Sequence, residues 1–157
     1  MRLLESEARL SFFREGLHFS GREFMFHVTQ RIDFCYGHRL LDYDGKCRDL
    51  HGHNGRAEIT LASHELDHRG MLVDFTDIKK SLRTWIDREL DHRMILNEND
   101  PLIPMLREFQ QPVYLISHNP TAENIARLIY EQARHFGFPV EKVQLWETPN
   151  SFAVYSE

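Results

Sequence analysis

The amino-acid sequence predicts an α+β protein: a four-stranded antiparallel sheet with two helices on one face, in the order ββααββ. Three observations carry this. Two long early stretches alternate apolar and polar residues, the period of a strand buried on one side. Two later stretches repeat apolar residues at helical spacing behind strong capping signals. The end of the chain holds two short apolar runs joined by Pro149-Asn150-Ser151, a hairpin by turn chemistry. Elements in this order bury their core between the helices and one sheet face.

Residues 1–23 are the least patterned part. Leu3, Leu4, Ala8 and Leu10 to Phe13 fit a short helix, Gly16 and Gly21 interrupt any continuation of it, and the segment reads as an extension with no assigned function. From Phe24 to Phe34 the apolar Phe24, Phe26, Val28, Ile32 and Phe34 alternate with polar neighbours, and Gln30 is the one break in that face. His38 continues its parity. Asp42, Asp44 and Gly45 make a turn-rich loop that ends at Cys47. A second strand is expected from His51 to His64, where Ala57, Ile59 and Leu61 share a face with His51 and His53. Asp74 is an N-cap candidate with Asp77 three residues on, and Phe75, Ile78, Leu82, Trp85, Ile86 and Leu90 form the stripe of a helix ending near Leu90. Asn97 to Ser117 reads as an irregular connection broken by Pro101, Pro104 and Pro112, with a short helical turn around Met105 to Phe109. A second helix starts at Asn119-Pro120-Thr121-Ala122-Glu123 and stops at Gly137. Strands over Lys142–Thr148 and Phe152–Ser156 complete the chain.

At 157 residues and 41% hydrophobic content the chain has the size of one domain, residues 1–157, with a real core. A net charge of −5 and the lack of any Lys/Arg block argue against nucleic acid or an anionic membrane as partner. No apolar run approaches the roughly 20 residues that span a bilayer, and the first residues lack a signal-peptide layout, so a cytoplasmic location is expected. Two cysteines beside a histidine cluster point to metal or catalytic chemistry rather than a disulfide.

That cluster is the chemical centre of the sequence. His51 and His53 stand two apart on a strand, so their imidazoles share a face, and His38 precedes them with matching parity. Three nitrogen ligands with an open fourth position are the arrangement of a catalytic zinc. Cys47 as a fourth ligand would instead close a structural site. Asp91-His92 directly follows the first helix, and a carboxylate beside an imidazole fixes its tautomer and raises its basicity. Glu147 is a carboxylate at the end of the largely apolar Val143-Gln144-Leu145-Trp146 run.

These residues, in order, resemble the 6-pyruvoyltetrahydropterin synthase and 6-carboxytetrahydropterin synthase family. The resemblance rests on His38, Gly45-Lys46-Cys47, His51-Gly52-His53-Asn54, Val73-Asp74-Phe75, Leu90-Asp91-His92, Pro120-Thr121-Ala122-Glu123-Asn124 and Glu147-Thr148. It implies a tunnelling fold (T-fold) whose subunits assemble as homotrimers or hexamers with interfacial active sites. It also implies Zn2+ on His38, His51 and His53, Cys47 as the catalytic thiol, Asp91 and His92 as a proton relay, and Glu147 as the anchor of a pterin ring. Thr121 is a second pocket residue by the same resemblance, and an N-cap role explains it equally. The three-residue gap between Cys47 and His51 is similar to the 6-carboxytetrahydropterin synthases of queuosine and deazapurine pathways. The implied reaction is a zinc-dependent carbon–carbon lyase reaction converting 7,8-dihydroneopterin triphosphate to 6-carboxy-5,6,7,8-tetrahydropterin, with loss of acetaldehyde and triphosphate. The alternatives are a 6-pyruvoyltetrahydropterin synthase, which eliminates triphosphate and keeps the side chain, and a non-catalytic zinc-stabilised pterin- or purine-binding module. Where the family is rich in small residues before its first zinc histidine, this chain has Cys35-Tyr36-Gly37. Here its pocket floor is expected to differ.

Overall fold

The computed structural model describes residues 24–157, so the expected helix in residues 1–23 lies outside the described residues. The chain runs β1 (Phe26–His38), a 3₁₀ turn (Lys46–Arg48), β2 (His51–Ser63), α1 (Phe75–Ile78), a π-helical turn (Lys79–Arg83), α2 (Thr84–Glu89), β3 (Arg93–Asn97), α3 (Ile103–Glu108), β4 (Val113–Ile116), α4 (Ala122–His135), β5 (Val140–Thr148) and β6 (Ser151–Ser156). The expected caps are present: the Asp74 carboxylate accepts the Thr76 N–H and the Thr121 hydroxyl accepts the Asn124 N–H. Gly137, at φ 86°, ends α4 in the left-handed region where glycine has no Cβ penalty.

The sheet has six strands in the order β4-β3-β1-β2-β5-β6, not four, and it is mixed. β1 pairs antiparallel with β2, β2 with β5 and β5 with β6, whereas β3 lies parallel to β1 and β4 parallel to β3. Of the two additional strands, β4 falls inside the stretch expected to be irregular and β3 directly before it, after the first helix, and the physical reason is packing on both sides. Ile95 enters the main core, while its neighbour Leu96 faces the other way into a small cluster with Ile103 and Leu106 of α3. A strand covered on both faces reads as a short continuous apolar run, without the alternation that marks a half-buried strand.

The long helices cover one sheet face, as expected. Ile78, Leu82, Trp85 and Ile86 together with Ile125, Ile129 and Ala133 pack on Ile32, Phe34, Ala57, Ile59, Leu61, Val143 and Leu145. Phe24 and Phe26, at the start of the predicted first strand, are exposed instead, and β1 begins only at Phe26. Where β1 ends, Arg39 gives two hydrogen bonds of 2.7 Å to the Asp100 carboxylate, a fully buried acceptor in the β3–α3 turn. This pair ties the strand end that carries His38 to the β3–β4 layer. No helix among the described residues is long and apolar enough to cross a membrane.

Candidate metal and pterin site

The antiparallel register of β1 and β2 places His38 opposite His51 and Tyr36 opposite His53. All three histidines therefore rise from the helix-covered face at the end of the sheet where the helices leave room. One ring nitrogen from each of His38, His51 and His53 lies within 4.8 Å of the other two, a grouping that could hold one metal ion once the rings draw in toward it.

Hydrogen bonds on the far side of two rings fix their tautomers. His38 Nδ1 stands 2.7 Å from the Pro120 carbonyl and His51 Nδ1 2.8 Å from the Asp49 carbonyl. A carbonyl only accepts, so each Nδ1 carries the proton and each Nε2 keeps its lone pair. His38 Nε2 is buried and has no hydrogen-bond partner among the described residues. An orphan lone pair in the interior costs about 1–3 kcal/mol unless something binds it. Burial, with the neighbouring His51 and His53, lowers the His38 pKa against the opposing pull of the Pro120 carbonyl and Glu147, so the ring is neutral and ready to ligate. The donor set fits a borderline-soft divalent metal such as zinc.

Glu147, on β5, brings its Oε1 to 3.9 Å from His38 Nε2 and 4.0 Å from His53 Nε2, and accepts a 3.1 Å hydrogen bond from the Tyr36 hydroxyl. Burial, followed by the Glu147 charge, pushes the Tyr36 phenol far above its ordinary range, so it stays a donor. Beside these groups opens a cavity of about 320 Å³ lined by His38, Cys47, Thr121, Glu147 and Phe152. Cys47 sits in the 3₁₀ turn, whose position is held by the Leu40 N–H donating to the Cys47 carbonyl. Its sulfur is not among the converging ligand atoms, so the closed four-ligand site lacks its fourth member. Thr121 both caps α4 and lines the cavity.

Asp91 and His92 form a pair, with His92 Nδ1 2.8 Å from the Asp91 carboxylate. The pair is clamped onto β1: the Cys35 N–H donates to Asp91 Oδ1 at 2.7 Å and the His92 N–H donates to the Cys35 carbonyl at 2.6 Å. These bonds hold His92 at φ 56°, a left-handed conformation that a non-glycine residue adopts only when its surroundings impose it. Burial acts to raise the Asp91 pKa, but the Cys35 N–H and the His92 contacts outweigh it and hold the carboxyl below its usual range. Within one chain, Asp91 and His92 do not line the Cys47 cavity. They line another, with Cys35, Asn54 and Trp146, and His92 also borders a cavity with His51 and His53.

Three features of the site carry no motif signal in the sequence. The Pro120 and Asp49 carbonyls are backbone groups, and Tyr36, expected only to reshape the pocket floor, gives its hydroxyl to Glu147. Arg39, a cation close to the cluster, is occupied by Asp100.

Fold and site together define a class: T-fold proteins in which three histidines able to hold a metal, at the sheet end, adjoin a carboxylate-floored pocket. The family model for 6-pyruvoyl tetrahydropterin synthase matches residues 27–157. A protein of Rickettsia bellii named 6-carboxy-5,6,7,8-tetrahydropterin synthase is 40% identical over 138 residues, covering 82% of this chain and 98% of the relative. One of the same name from Haemophilus influenzae is 30% identical, covering 85% and 100%. An uncharacterised Wolinella succinogenes protein of known crystal structure superimposes with a TM-score of 0.71 at 27% identity, over 85% of this chain and 99% of its own. The 6-pyruvoyl tetrahydropterin synthase of Caenorhabditis elegans shares the fold, with a TM-score of 0.63 at 23% identity over 85% and 96%. The chain belongs to the 6-pyruvoyl tetrahydropterin synthase family.

Proposed function

We propose that the protein is a zinc-dependent 6-carboxy-5,6,7,8-tetrahydropterin synthase acting on 7,8-dihydroneopterin triphosphate, with acetaldehyde and triphosphate as the other products. The observation that carries this is the Glu147 carboxylate 3.9 Å from a buried, orphaned His38 nitrogen, in a chain 40% identical to a relative of that name. Zinc on His38, His51 and His53 would supply Lewis acidity toward the side-chain hydroxyls of the substrate. Glu147 accepts two parallel hydrogen bonds from the amino and ring N–H of the pterin's guanidine-like edge. Cys47, on the same cavity wall, exchanges protons with the substrate side chain. Asp91 holds His92 Nδ1–H, which leaves Nε2 as the base of a second relay. Thr121 borders the pterin pocket.

Cys47 and the Asp91–His92 pair line different cavities of one chain. This supports a homo-oligomer, trimer or hexamer, in which a neighbouring subunit's relay completes each site. The two free cysteines, Cys35 and Cys47, accord with a reducing cytoplasm. The pathway is one that makes deazapurines such as queuosine. The second reading, a 6-pyruvoyltetrahydropterin synthase, is favoured by the name of the matching family model. Incubating zinc-loaded protein with dihydroneopterin triphosphate and weighing the pterin product decides between them. Release of acetaldehyde supports the carboxy product. A pyruvoyl pterin formed without acetaldehyde supports the alternative, and an unchanged substrate supports a binding module.

A further inference from the structure

We propose that Tyr36 is a positioning residue that holds the Glu147 carboxylate in place beside the three-histidine centre and so sets the protein's selectivity for a pterin edge; the proposal rests on Glu147 being the pterin anchor. Tyr36 is 3% exposed, and its hydroxyl gives Glu147 Oε1 the one side-chain hydrogen bond that this carboxylate receives among the described residues. No lysine or arginine among the described residues lies within ion-pair distance of Glu147; its neighbours are the His38 and His53 imidazoles at 3.9 and 4.0 Å. The placement of the carboxylate thus depends on a neutral phenol.

The ring itself is held. It stacks on Phe34 with centroids 5.3 Å apart and meets His38 edge-on, also at 5.3 Å. Its room comes from Gly55, where a Cβ would stand 2.7 Å from Tyr36 Cε1. Gly55 is not one of the glycines with positive φ, so the space for the ring, not backbone freedom, accounts for a glycine there. Tyr36 and Gly55 behave as one fitted pair under the metal ligands.

The chemistry of the anchor explains what the pair does. A carboxylate that grips an amidine-like N–H pair must offer both oxygens in one plane. The terminal torsion of glutamate is broad and lacks strong staggered wells, so the side chain alone does not choose that plane. Each oxygen has two lone pairs, so Oε1 can keep the phenol O–H and still accept from a ligand. With the hydroxyl removed, the carboxylate is free to turn toward the imidazole cluster and compete for the ion. Tyr36 orients the anchor and keeps it off the metal.

The test is direct binding to the metal-loaded protein. Fluorescence titration gives Kd for 6-carboxypterin and for its 2,4-dioxo counterpart, 6-carboxylumazine, with wild type, Tyr36→Phe, Glu147→Gln and the double variant. Tyr36→Phe keeps the ring over Gly55 and should bind 6-carboxypterin about tenfold more weakly, the loss expected for one hydrogen bond to a charged group. Its preference for pterin over lumazine should shrink, zinc per chain and melting temperature should hold, and the double variant should bind no worse than Glu147→Gln alone. If Glu147→Gln weakens pterin binding while Tyr36→Phe binds and discriminates like wild type, the positioning role is overturned and the anchor stands. If Glu147→Gln leaves pterin affinity unchanged, the anchor reading itself fails and the proposal with it. Gly55→Ala, whose methyl must displace the ring, is the second perturbation and should reproduce the loss of selectivity; unchanged selectivity there counts against the proposal.

Discussion

Replacing Asp100 with asparagine removes the anchor of the strand end that carries His38. The Asp100 side chain has no solvent exposure and accepts three hydrogen bonds, two of 2.7 Å from Arg39 and one of 2.8 Å from the Leu102 N–H. An amide offers one acceptor atom and turns its nitrogen, a donor, toward the guanidinium, whose side chain is only 19% exposed. Breaking a buried pair from one side costs about 3–5 kcal/mol, a large share of the roughly 5–15 kcal/mol that holds a domain folded. Burial acts to raise the Asp100 pKa, but the Arg39 and Leu102 hydrogen bonds and the Arg39 charge outweigh it and hold the carboxyl below its usual range. The folded protein therefore binds this proton less readily than the unfolded chain. The stabilisation is complete above the unfolded value of about 4 and is lost as pH falls through the lower folded value. The assay is urea unfolding of wild type and Asp100→Asn at equal metal loading, from pH 7 down to pH 3. The expected difference is about 3–5 kcal/mol at pH 7, narrowing below about pH 4. An Arg39→Met, Asp100→Leu double variant should recover much of it, because apolar packing can replace a buried ion pair. A difference under about 1 kcal/mol at pH 7, or one independent of pH, would refute this account of how β1 ends.

The remaining predictions concern the site. Cys47→Ala should keep full zinc content and the oligomeric state while turnover disappears, measured by metal analysis, sedimentation and product formation; loss of zinc would instead make the thiol a ligand. Asp91→Asn should lower kcat by about 10²–10⁴-fold, the range of a positioned acid–base group, with metal content unchanged. Unaltered kcat would remove the pair from the chemistry. Chelation should lower the melting temperature of the wild type, since a metal at about 100 times its Kd adds about 2.7 kcal/mol. His51→Ala should melt at the same temperature with and without chelator, and continued sensitivity would place the metal elsewhere.

Much of the site was legible because it lies on long, half-buried strands. The parity that joins His38 to Ile32 and Phe34, and His51 and His53 to Ala57 and Ile59, is a local property of alternating strands, and the register of β1 and β2 bears it out. Asp74, Thr121 and Gly137 were legible as helix boundaries for the same kind of reason: a cap satisfies groups within three residues of itself. Cys35 was not legible as a neighbour of the relay. Its contact with Asp91 spans the whole of β2, α1 and α2, and nothing in the residues near Cys35 encodes it.

The sequence by itself determined the two central strands, the helical face that covers them, and the residues able to hold a metal, because those depend on period and side-chain type. Only the tertiary structure decided the six-stranded mixed sheet, since β3 and β4 carry apolar side chains packed on both faces and lose their period. It also decided that Cys47 stands off the ligand set, that the Asp91–His92 pair faces a different cavity, and that Tyr36 holds Glu147. Each of these is a distance between residues far apart in the chain. Such distances are set by how the layers pack, which no local pattern specifies.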